Sequence, residues 1–206
     1  VVGGWTAHSR RFVAAPFAVC ALWVVFAAGC TANEEDLLRR AQALGEERQW
    51  LEARPLLQDY LRRHPHDAAA HFLLGRSWLH LPDEATNETL ARGEMLTAYA
   101  IYERTGDLGI LADQSDAEFR SFFHLLMATS YLRLARRAIT SGAIDERLIR
   151  QLEAALQHVR RGLEHEPDSA FLQEMMETIQ PMLHELREDH RTPERWRGPA
   201  ADELWI

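Results

Sequence analysis

Trp50-Leu51-Glu52-Ala53-Arg54-Pro55-Leu56-Leu57-Gln58-Asp59-Tyr60-Leu61-Arg62-Arg63-His64-Pro65 is the stretch on which the fold turns. Ala53, Leu57, Tyr60 and Leu61 recur at the three- and four-residue spacing of one helical face, and His64-Pro65 ends the run. The frame Ala53, Leu57, Leu61, Pro65 returns 102 residues further on as Ala155, Val159, Leu163, Pro167, and 102 is three times 34. A second pair of segments, Leu73–Leu81 and Leu126–Leu134, also aligns, at an offset of 53. Segments of one kind align with their own kind, in consistent order. The chain therefore reads as repeated helical hairpins with extra residues in an inner repeat; the alternative is a helical bundle without repeats.

Working outward, only helical periodicity appears, and no stretch sustains the alternation of a strand. Seven helices are predicted. The first covers 33–46, with Leu37, Ala41 and Leu44 on its stripe and Gly45 as its breaker; the second covers 50–63. The third covers 68–80, with Leu74, Gly75 and Trp78 facing the core, and Pro82-Asp83 stops it. The fourth ends near Arg104 and carries Leu90, Met95, Ala98 and Tyr102; Gly106 to Asp113 reads as a loop. Ser115-Asp116-Ala117-Glu118 has the spacing of a capping box and opens a fifth helix, 116–139, closed by Gly142. The sixth covers 145–165, with Leu152, Ala155, Val159 and Leu163. The seventh covers 169–187, with Phe171, Leu172, Met175, Ile179, Met182 and Leu186 as a continuous apolar face, and Pro181 should bend or split it.

These residues resemble the tetratricopeptide repeat (TPR), a helix–turn–helix unit of 34 residues. The unit over 34–67 is the best match: Ala41 where two helices touch, Trp50 opening the second helix, Ala53 deep in the packing, then Leu57, Tyr60 and the closing Pro65. Small residues at Ala41, Ala53 and Gly75 suit close helix approach, because a larger side chain would force the pair apart. His71 departs from the family's frequent Trp, and 81–97 and 105–120 do not fit the template. The resemblance implies an all-α superhelix of about three irregular TPR-like hairpins plus a capping helix over 30–190, followed by a polar tail over 191–206 that carries Trp196, Leu204, Trp205 and Ile206. It also implies a concave protein-binding groove lined by first helices, here Phe72, Arg76, Phe122, Leu125, Thr129 and Arg133. The family's carboxylate-clamping pattern is not supported, since Ala69, Phe72 and Leu73 occupy most of its places.

At the other end, Arg10-Arg11, an apolar run over 12–29 and Ala27-Ala28-Gly29 precede Cys30. Positive, apolar and small-residue segments in that order form an export signal over 1–29. With Cys30 at the junction it resembles the lipobox of bacterial lipoproteins, although that family prefers Leu, Val or Ile where Ala27 stands. The resemblance implies acylation of Cys30. It implies an anchor in the outer membrane facing the periplasm, because Thr31 follows where Asp would signal inner-membrane retention. The other reading is a retained signal anchor. Cys20 would leave with the leader, so the mature chain would hold no disulfide.

The net charge of −8 becomes −10 without the two leader arginines, which excludes nucleic acid as a partner and disfavours anionic headgroups. His64, His66 and His71 cluster about one turn and His158 and His165 share a helical face, but zinc needs three or four converging ligands. His184-Glu185 fails the zinc-protease spacing, because Glu188 stands where the second His belongs. No phosphate loop, nucleophile elbow or paired-carboxylate motif is present, so no cofactor is implied and no catalytic residue is expected. The expectation is a membrane-anchored scaffold or assembly factor of the bacterial envelope, binding other envelope proteins or peptides. The alternatives are a structural subunit whose groove is filled by its own tail, and a wall-active or metal-dependent enzyme.

Overall fold

Seven α-helices and no strand occur among the described residues, 34, 36–81 and 85–188, of the computed structural model. They are α1 (36–46), α2 (Trp50–Arg63), α3 (Ala68–Leu79), α4 (Ala85–Thr105), α5 (Asp116–Thr140), α6 (Glu146–His165) and α7 (Ala170–Glu188), with one 3-10 turn at Gly109–Leu111. The export signal, Cys30 and its lipobox, Pro82-Asp83 and the tail over 191–206 lie outside the described residues.

Local chemistry sets the helix ends. The box predicted at Ser115 is present: the Glu118 amide donates to Ser115 Oγ at 3.2 Å, and the Ser115 amide donates to Glu118 Oε2 at 2.7 Å. Asp67 caps α3 by accepting from the Ala70 amide at 2.9 Å, and its other oxygen accepts from Tyr60 Oη at 2.8 Å, tying α2 to α3. Gly142, at φ 72°, ends α5 in a Schellman turn in which Ala143 donates to the Ala138 carbonyl at 2.8 Å. The same turn ends α1, with Gln49 donating to Leu44 at 2.8 Å, but there the left-handed position (φ 61°) is held by Arg48.

Successive helices pack mainly on their sequence neighbours, most extensively within the pairs α3·α4 and α5·α6. Contacts fix the directions. Glu88, Arg92, Tyr99 and Tyr102 of α4 meet Arg137, Ser130, Phe123 and Asp116 of α5 in reverse order, so α4 and α5 are antiparallel. Phe72 meets Phe119 while Leu79 meets Arg133, so α3 and α5 run in the same direction. The core is a row of three clusters. The first joins Leu38 and Ala41 of α1 with Leu57, Tyr60 and Leu61 of α2 and Leu73 and Leu74 of α3. The second is built on Phe72, Met95, Ala98, Phe119, Phe123 and Met127, and the third on Leu132, Leu148, Leu152, Val159, Leu172 and Ile179. Trp78 packs on the first two clusters and Tyr131 on the last two.

Several expectations are corrected. In α1 the buried stripe is Leu38, Ala41 and Gly45, with Leu37 and Leu44 only half-buried. Gly45 is helical, not a breaker, and the Trp50 ring sits where its Cβ would be, 2.7 Å away. In α4, Leu90 is 39% exposed; Glu88 and Ala91 hold the stripe that continues through Met95, Ala98 and Tyr102. Phe171 is 48% exposed, and Leu183 completes the buried face of α7. Pro181 does not split α7, because Glu177, whose carbonyl loses its donor, is exposed and water can take that place. The stretch Gly106 to Asp113 is not a plain loop: Leu108 and Leu111 are buried, and Ile110 packs between the first and second clusters.

Candidate protein-interaction surface

The six groove candidates fall on two parallel helices, Phe72 and Arg76 on α3 and Phe122, Leu125, Thr129 and Arg133 on α5. Phe72 is 1% exposed and belongs to the core, with ring centroids 5.1 Å from Phe119 and 5.7 Å from Phe122. The other five are half-buried. Leu125 packs on the third cluster, and Thr129 donates to the carbonyl of Leu125 at 2.9 Å. Arg133 reaches back to α3 and donates to the Leu79 carbonyl. So Arg76, Phe122 and Phe72 come together, Arg133 joins at the end of α3, and Leu125 and Thr129 continue the α5 face.

Three residues that sequence reasoning did not place there complete the site. The Arg76 guanidinium lies 5.0 Å from the Trp50 ring and 5.3 Å from the Phe122 ring. His80 stacks on the other part of this cluster, 4.8 Å from Trp50 and nearly parallel to it. Desolvation, then the charges of Arg76, Arg133 and Arg48, push the His80 pKa down to about 4 although the residue partly reaches solvent. Burial also lowers the pKa of Arg76; Glu46 opposes that shift and Arg48 reinforces it. Among the described residues, the buried donors Arg76 Nε and Trp50 Nε1 meet no acceptor.

A second polar cluster lies between α5 and α6. His124, 4% exposed, meets His158 with their Nδ1 atoms 2.9 Å apart, and the His165 ring is stacked 6.0 Å from that of His124. One imidazole must donate and the other accept, so the accepting ring is neutral. Burial, then His158, His165, Arg161 and Arg120, hold the His124 pKa down to about 3, and burial, then Arg161, hold that of His158 to about 4. Two histidines of the α2–α3 turn have carboxylate partners: His64 pairs with Glu34 at 2.9 Å, and His71 with Glu94 at 2.6 Å, while the other His71 nitrogen meets the Pro65 carbonyl at 3.1 Å. Among the described residues no group of three or more His, Cys, Asp or Glu could hold a metal ion. The third unexpected feature is Glu88, 1% exposed and paired with Arg137 between α4 and α5.

Fold and site together define an all-α protein built from antiparallel helices stacked in sequence order, with a basic, aromatic face formed by α3, α5 and the start of α2. No protein-family model, no curated protein and no solved structure matches the chain. Among the described residues no helix is long and apolar enough to cross a membrane.

Proposed function

We propose that this chain is a TPR-like helical-repeat scaffold that binds other proteins of a bacterial envelope on its α3–α5 face. In this reading Cys30 carries the lipid that holds it to the outer membrane on the periplasmic side, and the scaffold does no covalent chemistry. The observation that carries the reading is the half-buried row Arg76, Phe122, Leu125, Thr129 and Arg133 on two parallel helices, beside helices that pack chiefly on their sequence neighbours. Such a row offers apolar and cationic contacts along two helices, which suits an extended segment better than a small molecule.

A photoreactive residue placed in cells at Thr129 tests the binding role. It should capture a discrete partner, whereas the same probe at Gln58, on the exposed side of α2, should not. Equal capture from both positions, or none from Thr129, refutes the role. Fatty-acid labelling tests the anchor: the parent chain should incorporate label and Cys30→Ser should not.

A further inference from the structure

We infer that the outer face of α4 is a self-association surface, on which a second copy of this chain lays its own α4 antiparallel about a two-fold axis at Gly93. This goes beyond the protein-binding reading above and does not rest on it. The exposed residues of α4 from 86 to 100 lie on the side opposite the buried stripe of Glu88, Ala91, Met95, Ala98 and Tyr102. That side reads alike in both directions from Gly93. Leu90 and Leu96 stand three residues before and after it, Thr89 and Thr97 four, and Thr86 and Ala100 seven. Offsets of three, four and seven keep them all on one helical face. An antiparallel copy centred on Gly93 therefore sets Leu90 against Leu96 of the second copy, Thr89 against Thr97 and Thr86 against Ala100. Apolar meets apolar and small meets small at every contact, as a self-complementary two-fold interface requires.

Three features of this face serve no contact among the described residues. Leu90 and Leu96 are 39% and 51% exposed. Gly93 has no neighbour to make room for: a Cβ at the helical glycines Gly45, Gly75 and Gly162 would lie 2.7 Å from Trp50, Met95 and Leu172, whereas a Cβ at Gly93 meets nothing within 4 Å. A glycine in the middle of a helix weakens it, and what it offers in return is the close approach of another backbone. The face is also uncharged. The charged residues from 86 to 100 are Glu88, Arg92 and Glu94, and each turns to a partner inside the chain, respectively Arg137, Ser130 and His71. The outer faces of α6 and α7, by contrast, expose Glu153, Arg160, Glu174 and Glu177. Two chains of net charge −8 repel each other, so an uncharged face is where they approach at least cost. Thr97 already donates its hydroxyl to the Gly93 carbonyl at 2.9 Å, so the pairing strands no donor there.

Contact through one helix is small, so the copies separate at the dilution of an unfolding experiment and meet where they are concentrated. The test is photocrosslinking in cells that express the full chain under two different tags. A photoreactive residue at Ala100, at the edge of the contact, should give a product of twice the chain mass that carries both tags. Its join should fall near Thr86 of the second copy. No such product, or a join elsewhere in the second copy, overturns the inference. So does capture of a different protein, or a join to 191–206 of the same chain, because the face then has another occupant. Gly93→Leu should abolish the product and keep the urea midpoint of the dilute chain at or above that of the parent, since the added side chain enters open space in its own chain. Leu96→Glu should lower the yield about tenfold or more, because each pair of copies then buries unpaired carboxylates. Leu96→Glu under one tag and Leu90→Lys under the other should restore it, because residue 96 of one copy faces residue 90 of the other. Parent-like yield from Leu96→Glu alone, or no recovery in the mixture, overturns the pairing. Capture from Thr129 should be the same in Gly93→Leu as in the parent, which separates this surface from the α3–α5 face.

Discussion

Replacing Gly75 by alanine tests the packing that carries the α3–α4 pair. Ordinarily the change stabilises a helix interior by about 0.8–1 kcal/mol, because alanine loses less backbone entropy on folding. At Gly75 a Cβ would lie 2.7 Å from Met95 Cγ, 3.0 Å from the Ala91 carbonyl oxygen and 3.2 Å from the Met95 amide nitrogen. Met95 is fully buried, so its side chain has no open space to enter, and two of the three clashing atoms are backbone. The α4 helix must therefore shift as a unit, and overpacking of that kind costs about 1–3 kcal/mol. The clash offsets or outweighs the propensity gain, and Gly75→Ala should lose up to about 2 kcal/mol net. Gly93, in the middle of α4, is the internal control, since it is exposed and a Cβ there meets nothing within 4 Å. Gly93→Ala should gain about 0.5–1 kcal/mol. Urea unfolding of the two variants, read by far-UV circular dichroism, should place their midpoints on opposite sides of the parent. Thermal midpoints should move by about 2–4 °C per kcal/mol. If Gly75→Ala matches or exceeds the stability of Gly93→Ala, the close approach of α3 and α4 is not real and the reasoning fails.

Acid should weaken the fold through its depressed histidines. His80, His124 and His158 have folded pKa values of about 4, 3 and 4, below the unfolded value. Their contribution is complete above about pH 6.5 and is lost as pH falls toward 4, whereas His71, raised by Glu94 and the Pro65 carbonyl against its burial, acts in the opposite direction. Urea midpoints measured from pH 7 to pH 4.5 should fall, and His124→Leu/His158→Leu should flatten that slope; an unchanged slope refutes the neutral-pair assignment. Arg137→Met should cost more than Glu88→Met, about 3 kcal/mol or above, because it strands a carboxylate that is 1% exposed, while the Arg137 side chain at 25% can still reach water. Equal losses in calorimetry would contradict this asymmetry. Ser115→Ala removes the hydroxyl that accepts from the Glu118 amide, keeps the bond from the residue 115 amide to the Glu118 carboxylate, and should cost about 1 kcal/mol in the same denaturation assay, with Ser141→Ala near neutral as the comparison.

Helix ends and most buried stripes were legible because they depend on neighbours three or four residues away. The bounds of α2, α3, α5, α6 and α7 agree with expectation to within one residue, and Ala53, Leu57, Tyr60 and Leu61 are all buried. The failures share one cause. Leu90 and Phe171 are apolar but sit outside the buried arc of their helices, while Glu88 lies inside its arc because Arg137 of the next helix neutralises it. Gly45 looked like a breaker because nothing local reveals that Trp50 folds back across it. Half of the candidate surface was legible, since Arg76, Phe122 and Arg133 project from the core stripe at helical spacing. Trp50, His80 and Arg48 carried no such signal, because they join Arg76 only when α1, α2 and α3 close on one another.

Taken alone, the chain determined its class, its helix boundaries, the small residues at close approaches and its acidic balance. These follow from propensity, periodicity and capping, all of which act within a few residues. The tertiary structure alone decided which polar groups share a site: His124 with His158 across 34 residues, Glu88 with Arg137 across 49, and Arg76 between Trp50 and Phe122. Such pairings depend on the rotation and direction of whole helices about their axes, and no local pattern encodes those until the faces pack.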